Sequence, residues 1–339
     1  MKQLSSERIK KITSKFSRKK VVVFGDIGVD KYTVGRVTRI SPEAPIPIVE
    51  VFRTELKLGL ASNVADNISA LGGEVALIGV IGNDSGAQEL KKLLKLKGID
   101  PGSLVVDPKR KTTVKERVVA EQQQILRIDH ETPKQPDGKI LKQAWGKINR
   151  ALKNADCVII EDYAKGLVES SICRQLISAA EKKDIPVFVD PNGKSSLQTY
   201  YGCTVMTPNT AEAAALSGIR ITDKETLCQA GFKLLEDVHA KIVIITRGKD
   251  GMSIFLSDKS GPLLIPTFAR EVYDVSGAGD TTIATLALSV CAGANIHEAA
   301  LIANYAAGIV VGKRGTATTD VGEIRDYVDM IAKMRKKKS

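Results

Sequence analysis

Apolar positions along the 339-residue chain follow two periods that take turns. Lys20–Gly25 (KVVVFG) is a continuous apolar run closed by glycine, the pattern of a parallel strand buried on both faces. Glu74–Val80, Ala155–Ile160, Pro186–Asp190, Thr204–Met206 and Lys241–Thr246 read the same way. Between these runs the apolar residues return every three or four positions. That spacing predicts helices over Ser62–Leu71, Asp84–Lys97 (stopped by Gly98), Asp137–Asn154, Val168–Lys183, Lys224–Val238, Ile296–Val311 and Asp320–Arg335. Leu4–Phe16 adds an amphipathic helix on Ile9, Ile12 and Phe16, and Thr281–Gly293 a strongly apolar one. Strands alternating with helices imply an α/β fold, a mainly parallel sheet with helices on both faces.

Two blocks break the alternation. Thr33–Arg53 contains RISPEAPIPIVEV, whose three prolines rule out a helix and a central strand. Ile46, Ile48 and Val51 suggest an exposed edge or lid strand there. Thr112–Asp129 carries Val114, Val118, Ile125 and Ile128 without a helical period. These blocks, about 31–53 and 112–129, are the candidates for a small β lid inserted in one domain spanning 1–339. Exposed apolar β-segments need a partner or a cover, so the lid is also expected to make a homodimer.

Hydrophobic content of 43% and charged content of 26% are ordinary for a globular chain. The net charge of +11 is not. It leaves nucleic acid, an anionic membrane surface or a small anionic substrate open. The excess is spread over helical surfaces, Arg18–Lys20 and the tail Lys333–Lys338, without a basic patch interleaved with aromatics; a nucleic-acid partner is not expected. The longest apolar run is too short for a bilayer and the basic N-terminal stretch lacks a signal peptide's apolar core, so no membrane partner is expected. Five cysteines, Cys157, Cys173, Cys203, Cys228 and Cys291, are scattered and away from the three histidines. That argues against a disulfide framework or structural zinc and fits a reducing cytoplasm.

The chemistry centres on Glu271–Asp280 (EVYDVSGAGD), just before the Thr281 helix. Gly277, Ala278 and Gly279 can turn sharply and aim backbone N–H groups the same way as the helix N-terminus, an anion site that needs no side-chain cation. Asp280 adds a carboxylate beside it. An anion cradle with a neighbouring base suits phosphoryl transfer to a hydroxyl. On local sequence alone, a tight turn with a capping acid explains the stretch equally well. Asp26 and Asp30 follow the first strand, where open α/β sheets place ligands. That strand is followed by GDIGVD rather than a G-x-G-x-x-G fingerprint, which excludes a dinucleotide-binding dehydrogenase.

DVSGAGDT resembles the C-terminal signature D-T-x-G-A-G-D of the PfkB (ribokinase-like) carbohydrate kinases. The resemblance implies a ribokinase-like fold with a β lid at the two inserted blocks, ATP as phosphoryl donor and Mg²⁺ as cofactor. It makes Gly277, Ala278 and Gly279 the anion hole and Asp280 the catalytic base. GLASNVA, with Gly59, Asn63 and Ala65, is similar to the N-terminal signature G-G-x-x-N-x-A, with Leu60 in place of the second glycine; Asn63 then bonds sugar hydroxyls. Asn209 and Glu212 occupy the N-x-x-E motif that organises Mg²⁺ through water, and equally form a capping-box pattern. Thr246, Arg247, Gly248 and Gly251 fall on the nucleotide-binding turn. Asn304 and Gly308 fall on the helix that borders adenine, where small residues also serve tight packing.

RISPEAPIPIV at Arg39–Val49, DYAKG at Asp162–Gly166, TPN at Thr207–Asn209 and EVYDV at Glu271–Val275 together resemble the heptose-7-phosphate kinases of ADP-heptose synthesis. Those enzymes phosphorylate the anomeric O1 of D-glycero-β-D-manno-heptose 7-phosphate, giving the 1,7-bisphosphate. By that likeness Asp30 and Asn63 hold sugar hydroxyls, Arg39 and Glu43 place the lid, and Asp162 and Lys165 stand at the substrate, with Lys165 contacting a phosphate or only water. Asn192 stands where the relatives carry lysine (with Lys194 near), and Glu121 where they tend to carry a basic residue. Another sugar or sugar phosphate is the alternative acceptor, and a non-catalytic sugar-binding protein a further alternative. The sequence has no H-x-G-H motif, so adenylylation is expected of another protein.

Overall fold

The computed structural model describes residues 4–121, 123–258, 261–269, 272–313 and 315–336. Glu271 of the EVYDV stretch and Lys337 and Lys338 of the basic tail lie outside the described residues. Elements are numbered in chain order. The larger sheet has eight strands in the order β14-β13-β12-β11-β10-β9-β1-β4. They are β1 (Lys20–Gly25), β4 (Glu74–Ile78), β9 (Cys157–Glu161), β10 (Val187–Asp190), β11 (Val205–Met206), β12 (Ile242–Thr246), β13 (Met252–Leu256) and β14 (Leu263–Ile265).

From β12 to β4 every pairing is parallel, with helices returning the chain except between β10 and β11, where a loop with a 3₁₀ turn at Leu197–Thr199 does so. The β12–β13–β14 end is antiparallel, a departure from the expected parallel set. A tight turn at Gly248–Asp250 joins β12 to β13 and leaves no room for a crossover helix.

The continuous apolar runs are explained by what lies on each face. Val21 and Val23 of β1 and Ile159 of β9 pack with α1 (Ser6–Thr13), α2 (Ala61–Ala70), α3 (Ser85–Leu96), α8 (Ala278–Cys291), α9 (Ile296–Val310) and α10 (Val321–Lys336). Val22, Phe24, Val158 and Ile160 pack with α4 (Gly138–Ala151), α5 (Ser170–Glu181), α6 (Thr210–Ser217) and α7 (Lys224–Val238) on the other face. The first helix is shorter than expected: it ends at Thr13, and Phe16 begins a separate 3₁₀ turn.

The smaller sheet runs β3-β2-β7-β8, with β2 (Ile27–Ile40), β3 (Pro47–Leu60), β7 (Thr113–Ala120) and β8 (Gln123–His130). It begins earlier than the polar pattern suggested. Only Asp26 separates β1 from β2, so the lid grows straight out of the core sheet's C-terminal edge. The prolines fall where strands tolerate them: Pro42 and Pro45 in the hairpin turn, closed by Ser41 N–H to the Ile46 carbonyl at 2.9 Å, and Pro47 at the first position of an edge strand. A two-stranded pairing of β5 (Val80–Ile81) with β6 (Val105–Val106) completes the described strands.

Candidate active site

The start of α8 sits over the carboxyl ends of β9 and β10. Gly277 caps the helix at φ 79°, in the left-handed region. A Cβ there would lie 2.8 Å from Asn63 Nδ2, so both backbone angle and space require glycine. Gly279 and Asp280 are first-turn residues whose N–H groups have no intrahelical acceptor. Ala278 differs from expectation: its N–H turns back to the Val275 carbonyl at 3.2 Å, so the turn partly closes that donor.

Asp280 is buried (7% exposed) and both its oxygens are held. Asn63 Nδ2 donates to Oδ2 at 2.5 Å, and the Tyr163 hydroxyl donates to Oδ1 at 2.6 Å. Burial pushes the Asp280 carboxyl above the ordinary aspartate value, and the two donors pull it part-way back. Helix α2 is locked to α8 beside this contact, with Thr281 Oγ1 donating to Asn67 Oδ1 at 2.8 Å and Asn67 Nδ2 donating to the Asn63 carbonyl at 2.9 Å.

Asp30 faces the same space from β2. It accepts from Arg117 Nη1 at 2.6 Å and from Thr316 Oγ1 at 3.3 Å. Gly59 lies across the hairpin, where a Cβ would come within 3.0 Å of the Asp30 carboxyl; only a glycine lets the chain pass so close. Lys57 Nζ donates to the Thr316 carbonyl at 2.8 Å and, with Tyr32, latches the lid sheet onto the segment before α10. Between lid and body lies a cavity of about 420 Å³ whose walls include Tyr32, Arg53, Lys57, Arg117, Glu121 and Ser276.

Four expected acceptor residues are placed elsewhere. Arg39 and Glu43 are exposed near the tip of the β2–β3 hairpin, nine and thirteen residues beyond Asp30 in sequence. Asp162 points away to hold its own loop, accepting from Ala164 N–H (2.7 Å), Ser195 Oγ (2.5 Å) and the Tyr200 hydroxyl (2.6 Å). Lys165 Nζ is paired with Glu131 at 2.7 Å. Asp26 is likewise structural, accepting the N–H groups of Tyr163, Lys165 and Leu167 and so fixing the loop that presents Tyr163.

On the other side of α8 a cavity of about 360 Å³ is lined by Thr246, Gly248, Gly251, Gly279, Asn304 and Gly308 among others. Arg247 is turned out of it, its guanidinium bonded to the Asp250 carbonyl at 2.7 Å. Asn304 spans from α9 to the neighbouring strap, donating to the Pro266 carbonyl (3.0 Å) and accepting from Phe268 N–H (3.3 Å).

Asn209 and Glu212 form the capping box at the start of α6: Asn209 Oδ1 takes the N–H groups of Ala211 and Glu212, and Glu212 Oε2 takes Asn209 N–H. The sequence reading missed Tyr163, Arg117, Thr316 and Glu161. Glu161 and Asp190 carry carboxylates within 4.8 Å of each other and of Asp280.

A model of the pfkB family carbohydrate kinases matches residues 18–321. The chain belongs to that family. As a member it is an ATP-dependent carbohydrate kinase with a ribokinase-like α/β fold. Similar proteins include the bifunctional protein HldE of Geobacter sulfurreducens, 43% identical over 306 residues (89% of this chain, 61% of that protein). HldE of Sulfurimonas denitrificans is 40% identical over 308 residues, covering 91% and 64%. The chain thus spans about three-fifths of the length of these relatives.

Solved structures share the fold at low identity. Arabidopsis thaliana ribokinase complexed with ribose and ATP has a TM-score of 0.73 at 18% identity, covering 91% of this chain and 98% of that one. Escherichia coli phosphofructokinase-2 in complex with substrates and products has 0.75 at 20%, covering 93% and 99%.

Proposed function

We propose that this kinase transfers the γ-phosphoryl of ATP to the anomeric O1 of D-glycero-β-D-manno-heptose 7-phosphate, giving the 1,7-bisphosphate for ADP-heptose and lipopolysaccharide inner-core synthesis. The observation that carries the reading is the buried Asp280, held by Asn63 and Tyr163 on the first turn of α8, where Ala278 and Gly279 line one cavity and Ser276 the other, combined with the likeness to HldE. The acceptor sugar lies against Asp30, Gly59 and Asn63, and its O1 proton passes to Asp280. ATP occupies the cavity lined by Thr246, Gly248, Gly251, Asn304 and Gly308, with its transferring phosphoryl at the first turn of α8. There the free amides and the helix dipole meet the charge that develops. Mg²⁺, when bound, neutralises phosphate charge, and the carboxylates at the strand ends suit a hard cation.

The whole chain acts as one kinase domain whose lid closes over the acceptor and pairs two copies. The five cysteines carry free thiols, in keeping with a reducing cytoplasm. Among the described residues no helix is long and apolar enough to cross a membrane. A second acceptor reading, another sugar without a phosphate at that place, is favoured by one feature: Glu55 and Glu121 line the acceptor cavity beside its cations and weaken it as a phosphate site.

The test is ADP release across a panel of sugars and sugar phosphates. A charge-assisted contact contributes about 1.5–3 kcal/mol. Even one on the 7-phosphate therefore makes the phosphorylated heptose better than the plain sugar by a factor of about ten or more in kcat/KM. Equal turnover of the two would remove the heptose-phosphate assignment and leave the carbohydrate kinase.

A further inference from the structure

Glu161 is the last residue of β9, fully buried, and neither of its carboxylate oxygens has a hydrogen-bond partner among the described residues. Its neighbour across the parallel pairing is Asp190, the last residue of β10. Side chains alternate along these strands, and Ile159 and Phe188 pack on the α8 face. Glu161 and Asp190 therefore point the same way, toward the start of α8. Asp280 completes a group whose ligand oxygens all lie within 4.8 Å of one another.

A carboxylate shut away from water with no donor is among the most costly states a side chain can take. Two remedies exist: it keeps a proton, or a cation neutralises it. We infer that Glu161 and Asp190 hold a divalent cation by direct carboxylate bonds beneath the first turn of α8.

Four observations favour the cation. Asp280 has a donor on each oxygen already, which leaves Glu161 as the orphan to be satisfied. Asp190 is only partly buried, giving an ion a way in. The donors are oxygen alone, which selects a hard ion such as Mg²⁺ or Mn²⁺ over zinc or copper. A Cβ on Gly279 would stand 3.7 Å from Asp190 Oδ2, so the pair opens onto the place where the transferring phosphoryl arrives. The inference rests on the kinase reading for what the ion does, and on Glu161 for where it sits. It moves the metal inward from Asn209 and Glu212, whose side chains cap α6.

The test is titration of Mn²⁺ into the nucleotide-free 339-residue chain, with free Mn²⁺ read by electron paramagnetic resonance. Wild type is expected to bind one Mn²⁺. Glu161→Gln and Asp190→Asn should each weaken it at least about tenfold, and Glu212→Gln much less. Thermal unfolding gives a second readout. Mn²⁺ should raise the midpoint of wild type but not of Glu161→Gln, which without metal should unfold no earlier than wild type because glutamine fills the same space without a charge. If Glu161→Gln does not fold, Asp190→Asn carries both readouts. Unchanged Mn²⁺ affinity in a folded variant, loss of binding only on Glu212→Gln, or no binding to nucleotide-free wild type would each overturn the inference, the last leaving a proton-sharing trio. ADP release measured separately keeps the outcomes apart. A chain that phosphorylates sugars but binds no Mn²⁺ without nucleotide sinks the cation site alone, and one that binds Mn²⁺ but phosphorylates nothing sinks the kinase reading alone.

Discussion

As the proposed base, Asp280 must be ionised to take a proton, yet it is buried, and the donors Tyr163 and Asn63, with the charge of Lys115, oppose the rise in its pKa. Replacing it with asparagine keeps shape and removes the base. Asp280→Asn is expected to lower kcat by about 10²–10⁴ with nucleotide affinity unchanged, and turnover within a few-fold of wild type would dismiss Asp280 as the base. The same geometry sets a pH dependence. As pH falls through the raised pKa the carboxylate protonates and activity is lost, so the acid limb of kcat/KM lies above the ordinary aspartate value of about 3.9. Tyr163→Phe removes a donor that favours the charged form, so the limb should move to higher pH; a limb that stays put or moves lower contradicts the role given to Tyr163. Asn63 and Asp280 were legible in the sequence because each sits in a short signature whose spacing carries its chemistry. Tyr163 was not, since its bond to Asp280 joins positions 117 apart in sequence. Asp162 and Lys165, in the same DYAKG stretch, were misplaced because a motif does not say which way a side chain turns once Ser195, Tyr200 and Glu131 compete for it.

Helix α8 and its entry turn show how an element carries the chemistry of several residues. Gly277 has a left-handed backbone and Asn63 against it, whereas a Cβ on Gly279 would meet nothing nearer than 3.7 Å. The two glycines should therefore respond differently. Gly277→Ala drives Asn63 off Asp280 and is expected to cost about 10²-fold or more in kcat, as loss of one well-aimed group does, while Gly279→Ala stays within a few-fold. Equal effects at both positions would reduce the loop to a generic turn. The start of α2 carries strain of the opposite origin. Leu60, standing at a glycine position of the family signature, has φ 57° and ψ −143°, a conformation worth about 1–3 kcal/mol against a residue with a side chain. Its side chain is buried, which returns about 1.5–3 kcal/mol. The terms nearly cancel, so Leu60→Gly should change unfolding free energy by less than about 1.5 kcal/mol, against about 2–5 for an ordinary buried leucine truncated to alanine. A loss in that larger range, measured by denaturant unfolding, would show that packing outweighs the strain. The core elements were legible because each run is apolar on both faces or at helical spacing. The antiparallel β13 and β14 were not, because short apolar stretches such as MSIFL carry no mark of direction.

At the scale of the whole molecule the exposed lid is the unfinished part. Its sheet ends in two edge strands, β3 and β8, and carries Phe52 at 67%, Ile40 at 61%, Ile46 at 57% and Leu126 at 47% exposure. An apolar, open-edged sheet in water invites pairing with its own kind. Light scattering at micromolar concentration should give twice the chain mass, and Phe52→Asp should shift it toward the single chain. The hairpin tip sharpens this expectation. Nine residues of β2 at about 3.3 Å each carry Arg39 roughly 30 Å along the strand from Asp30, too far to serve its own acceptor cavity, whose lid walls extend only to Val34 and Arg53. If Arg39 contributes to acceptor use, it does so across the dimer, in the partner's site. Asp280→Asn and Arg39→Ala proteins would then complement each other. Each is impaired alone, but in a mixed dimer the site with an intact Asp280 receives an intact Arg39 from the other chain. Mixing and re-equilibrating the two should restore a measurable part of the wild-type rate of ADP release. An Arg39→Ala protein that is fully active by itself removes Arg39 from the reaction, and one that is impaired but not rescued by mixing places its effect within its own chain.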